Sequence, residues 1–175
     1  ARGGGPCAGV HGSSGGLSRE INCDGVSDAL SEPNLLPATS FNVTSPRGVV
    51  FGTPGTGFQG SANAGVAPVR FDNIDPTYST NFQTFSAQRL FTALGSNIVD
   101  VNFFLPGTNT PALSQGFGSV FSDVDGTNTT SITLFDVNNT SLGTFLVPAQ
   151  AGSGTFSFLG FSFASPLFAL FATRH

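Results

Sequence analysis

Asp123-Val124-Asp125-Gly126-Thr127 sets two carboxylates one residue apart ahead of a glycine. Tight calcium loops use this arrangement to turn hard oxygens toward a single ion. Calcium takes about six to eight oxygens, and this loop lacks the remaining EF-hand positions and the closing Glu. A complete site therefore needs more ligands: Thr127, Asn128 and Asp136 nearby, or Glu20, Asp24 and Asp72 if the fold brings them close. The expected ion is calcium and the expected ligands are Asp123, Asp125, Asp24 and Asp72. The competing reading is an ordinary Asx-turn at a strand end, with Asp125 capping the turn through its own backbone.

A catalytic ion in such a site would polarise a carbonyl for attack by water, with Asp carboxylates as ligands and general base. The reaction would be hydrolysis of esters or lactones. Other chemistry has weaker support. Gly12-Ser13-Ser14-Gly15-Gly16 fits G-x-S-x-G, yet no strand precedes it and no helix follows. The only histidines are His11, in a Gly/Ser-rich arm, and His175, the last residue, which suits no Ser-His-Asp constellation. All six basic residues are arginines, so Schiff-base chemistry is excluded, and no Walker, Rossmann or HExxH motif occurs.

Cys7 and Cys23 are the only cysteines. In an oxidising compartment they would close a loop, a bond contributing roughly 3 kcal/mol on chain-entropy grounds; the alternative is two free thiols. A zinc site from Cys7, His11 and Cys23 needs Asp24 or Asp28 as fourth ligand and matches no standard spacing. Carbohydrate binding draws on exposed aromatic platforms. Here there is no Trp and one Tyr, Tyr78, beside the Pro76 turn, where a rim-packing role competes with stacking on a sugar. Asn42-Val43-Thr44, Asn128-Thr129-Thr130 and Asn138-Asn139-Thr140 are formal glycosylation sequons and point to surface loops.

The elements that must position these groups are strands. The 175 residues fit one domain. With 23 Gly, 19 Phe and only 9% charged residues, the composition suits a secreted all-β protein in which Phe fills the core. A net charge of −4 without a basic stripe argues against nucleic acid. Residues 1–18 read as a flexible Gly/Ser-rich arm and 19–175 as a single domain. Residues 19–30 suggest a short strand and a turn. Short apolar runs follow at 49–51, 57–61, 69–71, 83–93, 98–105, 118–121 and 155–163, the signature of a sandwich or barrel of antiparallel strands. Residues 86–94 alone tempt a helix assignment, but lack an N-cap and read as strand. Residues 130–136 and 141–147 form the clearest hairpin. In 98–103 and in Phe156-Ser157-Phe158 the alternation sets a buried face against a solvated one. The apolar run after Phe156 is interrupted by Gly160, serines and Pro166, which argues for a core strand plus tail and against a membrane span.

Arg19-Glu20-Ile21-Asn22, Asp24-Gly25, Ser45-Pro46-Arg47-Gly48-Val49-Val50-Phe51, Thr53-Pro54-Gly55-Thr56-Gly57-Phe58 and the stretch 116–148 resemble a family of secreted soil-bacterial proteins of uncharacterised function. The likeness covers about residues 15–163. It implies a β-sandwich and carries no known activity. Similar sequences have a large aromatic at the position of Cys23, which speaks against the disulfide. Residues 165–175 look foreign to the family, as in a truncated or frame-altered copy from environmental DNA.

The expectation is therefore an all-β, jelly-roll-like antiparallel sandwich, secreted or periplasmic and stabilised by calcium. It would act as a binding module for a small-molecule or carbohydrate ligand or a surface. The alternative is a small calcium-dependent hydrolase of esters or lactones.

Overall fold

The computed structural model describes residues 19–167 and, as backbone, 170–174. The arm 1–18, with Cys7, His11 and Ser14, and His175 lie outside the described residues. Among those described, the strands are β1 (Val49–Gly52), β2 (Gly57–Gly60), β3 (Phe91–Leu94), β4 (Ile98–Phe103), β5 (Gly116–Ser122), β6 (Ser131–Phe135), β7 (Ser141–Leu146), β8 (Phe156–Ser162) and β9 (Leu170–Arg174). Every pairing is antiparallel. One sheet has the order β1-β4-β9-β6-β7, and β2–β3 and β5–β8 form separate pairs. The all-β antiparallel class read from the sequence is the class that forms.

The β6–β7 hairpin shows why. Ile132 and Leu134, flanked by Ser131 and Thr133, are fully buried, while Thr133 on the opposite face hydrogen-bonds Thr144 across the ladder at 2.8 Å. In the connecting turn, Asp136 Oδ1 accepts the amides of Asn138 and Thr140, both at 2.8 Å, and Asn139 takes the left-handed conformation (φ 61°) that Asn tolerates. These hydrogen bonds, led by that of the Thr140 amide, hold the Asp136 carboxyl below its ordinary range. β9 enters between β4 and β6, pairing Val101 with Phe171 on one side and Leu134 with Phe171 on the other. It thereby joins two halves of the sheet. Leu170–Arg174 is thus a strand between two partners rather than a loose tail.

Phenylalanine supplies much of the core, as its abundance suggests. Phe51 packs on Phe41, Phe58 and Phe91 at centroid distances of 5.9, 5.6 and 4.7 Å, and this cluster seats β2–β3 against β1. The inner face of β5–β8 meets the five-stranded sheet through Phe103–Phe117 (6.4 Å) and Phe145–Phe161 (4.7 Å). Both contacts are ring pairs beyond simple area burial.

Several expectations fail locally. Residues 19–30 contain no strand, only a turn at Cys23 and a 3-10 turn at Asp28–Leu30. Residues 69–71 lie in a turn, with Arg70 and Phe71 both at positive φ (51° and 68°), a conformation no strand contains. Of 83–93, only the end joins β3, because Asp24 Oδ1 captures the amides of Gln88 and Arg89 (3.1 and 3.2 Å) and holds that backbone in a loop. A short helix, α1 (Tyr78–Asn81), forms where none was expected. Asn42 is no surface sequon. It is 2% exposed, donates from Nδ2 to Thr108 O (2.8 Å) and accepts the Gly107 amide (3.0 Å).

The alternation read in β8 forms with a definite parity. Ser157 is 3% exposed and Phe158 is 63% exposed, so the serine faces inward and the phenylalanine outward. Strand parity explains this: Ser157 shares its face with Leu159 and Phe161, both packed against the core.

Truncating the hairpin's buried face tests this account of the core. Ile132→Ala should cost about 2–5 kcal/mol in denaturant unfolding. Leu142→Ala, on the exposed edge strand β7, should cost under about 1 kcal/mol.

Candidate functional site

The four acidic residues expected to hold calcium are distributed over different loops, and one oxygen of Asp24, of Asp72 and of Asp125 accepts a nearby backbone amide. Asp24 Oδ1 accepts from Ser86 Oγ (2.9 Å) as well as the amides of Gln88 and Arg89. Asp72 Oδ1 accepts the Val69 amide at 3.0 Å. Asp125 Oδ1 accepts the Gly152 amide at 2.9 Å and ties its loop to the segment before β8. Asp123 sits at φ 66°, and its amide donates to Thr155 O (3.0 Å). Among the described residues no three His, Cys, Asp or Glu side chains gather into a metal-binding group. At Asp125 the carboxylate bridges to a segment 27 residues on and closes no local Asx turn.

Two buried ionisable groups lie near the Asp24 and Asp72 loops. Arg89 is buried, donating from Nη1 to Ser61 O (2.6 Å) and from Nη2 to the exposed Asp28 carboxylate. Glu32 is 6% exposed, and burial, with a smaller push from the Asp72 charge, raises its pKa above the ordinary value. No motif marks Glu32: a lone Glu before Pro33 carries no ligand signature, and its amide donates to Gly60 O at 2.8 Å.

Two surfaces have the character of a ligand site. An open groove of about 400 Å³ beside the turn between β1 and β2 is lined by Leu36, Pro37, Phe51, Thr53, Thr56 and Phe58. Of its two hydroxyls, Thr53 Oγ1 accepts the Gly55 amide and Thr56 Oγ1 donates to Leu94 O.

The outer face of β5–β8 is the stronger candidate. Its outward positions are Gly116, Gly118, Val120 and Ser122 on β5, opposite Ser162, Gly160, Phe158 and Phe156 on β8. None is charged. The Phe158 ring folds down over the glycine pair: a Cβ on Gly118 would meet it at 2.8 Å, and one on Gly160 at 2.7 Å. The ring thus covers backbone that the glycines leave bare, with its other face in solvent. Phe85, 55% exposed, stands edge-on to Phe156 at 5.5 Å and extends the aromatic strip. Sequence reasoning missed both because it assigned phenylalanine to the core and looked for platforms only among Trp and Tyr. The available signal was the glycine pairing with the Leu159/Phe161 parity.

Compared with known proteins, the chain matches no family model, no curated protein and no solved structure.

Cys23 is a buried free thiol whose expected partner, Cys7, lies outside the described residues. Burial first, and the Asp24 charge second, push its pKa up to about 12, with Arg89 opposing. Since the thiolate is the reactive form, Cys23 in a Cys7→Ser background should resist a thiol reagent at pH 8 while folded. It should react fully in denaturant. Rapid native-state labelling would contradict this burial.

Proposed function

We propose that the chain is a β-sandwich binding module, and that the outer face of β5–β8 holds a neutral carbohydrate by stacking a sugar ring on Phe158. The sandwich reading rests on the ring contacts between β5–β8 and the five-stranded sheet, Phe103–Phe117 and Phe145–Phe161. The observation that carries the binding reading is an aromatic ring seated over two paired glycines with 63% of its residue exposed.

A buried phenylalanine stabilises a fold, whereas a face-up ring on a sheet surface leaves apolar area in water that a flat partner can cover. The C–H face of a pyranose is such a partner. The uncharged surround favours a neutral sugar over an anionic one, since no basic side chain occupies the outward positions of these strands. Ser122 Oγ accepts the Gln83 amide at 2.9 Å, so its own proton remains to be donated to a sugar hydroxyl at the rim. Phe85 lengthens the strip in the direction of Phe156, which suits a chain of sugars better than a single unit.

Affinity electrophoresis of the full chain against a panel of neutral polysaccharides tests this. Retardation should appear on at least one polymer and weaken about tenfold, or ~1.4 kcal/mol, in Phe158→Ala. Phe158→Tyr should retain it, and the unfolding midpoint of Phe158→Ala should move little. Retardation by none of the polymers, or retardation unaffected by Phe158→Ala and Phe85→Ala together, would refute the reading.

A further inference from the structure

We propose that Gly118 and Gly160 are positioning residues for Phe158: this cross-strand pair holds the ring down against the sheet and so keeps one ring face open to a ligand. What the ring then binds rests on the carbohydrate reading. The seat beneath it rests on β5 and β8 alone.

Glycine inside a strand weakens it, because it has no side chain to pack and loses more backbone freedom on folding than any other residue. Two glycines directly opposite each other, Gly118 and Gly160, therefore need a reason. Backbone conformation does not supply one, since neither has a φ in the left-handed region, unlike Gly48 at φ 79°. Close approach of main chain does not supply one either. A Cβ on Gly48 would collide with the carbonyl oxygen of Phe104, whereas beyond their chain neighbours the only atoms within 3.4 Å of a Cβ on Gly118 or Gly160 belong to the Phe158 ring.

The ring tip spans the pair. Its Cζ lies 2.8 Å from the Cβ position of Gly118 and 2.7 Å from that of Gly160, with Cε2 at 2.9 Å on the first side and Cε1 at 3.0 Å on the second. Carbon atoms pack at about 3.5–4.0 Å, so a methyl group at either position excludes the ring from its seat. The next neighbours, Gly160 Cα and Phe117 O, stand at 3.5 Å and accept a methyl without moving. Phe158 is 63% exposed and can swing outward, so the substitution displaces the ring and leaves the ladder in place. Alanine also narrows the unfolded ensemble, which favours the folded chain. The glycines thus exchange strand stability for a ring held in one orientation, and a pre-oriented ring has less freedom to lose when a ligand stacks on it.

The test compares Gly118→Ala and Gly160→Ala with Gly25→Ala, a turn glycine with open space around its Cβ position. Nuclear Overhauser contacts should join the Phe158 ring to the α-protons of Gly118 and Gly160 in the unaltered full chain. Gly118→Ala should lose the contact to Gly160 and Gly160→Ala the contact to Gly118, while Gly25→Ala keeps both. On a polysaccharide that retards the unaltered chain, each of the two strand variants should bind about threefold or more weakly. Their unfolding midpoints should hold or rise. Ring contacts that persist in both variants, or retardation that both leave intact while Phe158→Ala weakens it, would overturn the positioning role. So would a fall in both midpoints, for the glycines would then serve the packing of the fold. Retardation by no polymer refutes the carbohydrate reading by itself, and the ring contacts then decide the seat.

Discussion

A β-strand can turn only alternate side chains to one face, and β8 commits its inward positions to Ser157, Leu159 and Phe161. Leu159 and Phe161 fill the space against the five-stranded sheet, with Phe161 meeting Phe145 at 4.7 Å. A one-residue slip would carry both into solvent and bring Phe158 and Gly160 inward, so the register is fixed by the larger apolar pair. Phe158 is outward as a result of that parity. The same register sets Gly160 opposite Gly118, and their missing Cβ atoms make the hollow into which the Phe158 ring folds. An alanine at either position would press on the ring and lift it. Core packing and surface chemistry are therefore two faces of one pairing.

A second constraint is the position of β9. By pairing with β4 and β6 it unites the β1–β4 and β6–β7 ladders in one sheet. Ile132, Leu134 and Val101, whose strands flank β9, belong to a single buried cluster with Val49, Leu36, Phe41 and Phe58. This cluster gives β5–β8 a continuous surface to pack on.

What was legible in the sequence was local. The β6–β7 hairpin could be read because its alternation, its Asp136 turn and its threonine pair lie within one short stretch. The strands at 49–52, 57–60 and 98–103 were legible for the same reason. The loop at 86–90 was not, because it is shaped by Asp24, more than 60 residues away in the chain. The alternation of Phe156-Ser157-Phe158 was legible, but three residues carry no information about which face is inner; Leu159 and Phe161 decide it. Likewise the alternating aspartates at 123 and 125 resemble a calcium loop in isolation. Tertiary structure instead gives Asp125 Oδ1 to the Gly152 amide, 27 residues on in the chain.

In β8 Phe158 is exposed and Ser157 is buried. Solvent paramagnetic relaxation by a soluble nitroxide, read on assigned side-chain protons, measures this directly. The account predicts strong broadening of the Phe158 ring and protection of the Ser157, Leu159 and Phe161 side chains. A protected Phe158 ring beside broadened Ser157 protons would contradict it.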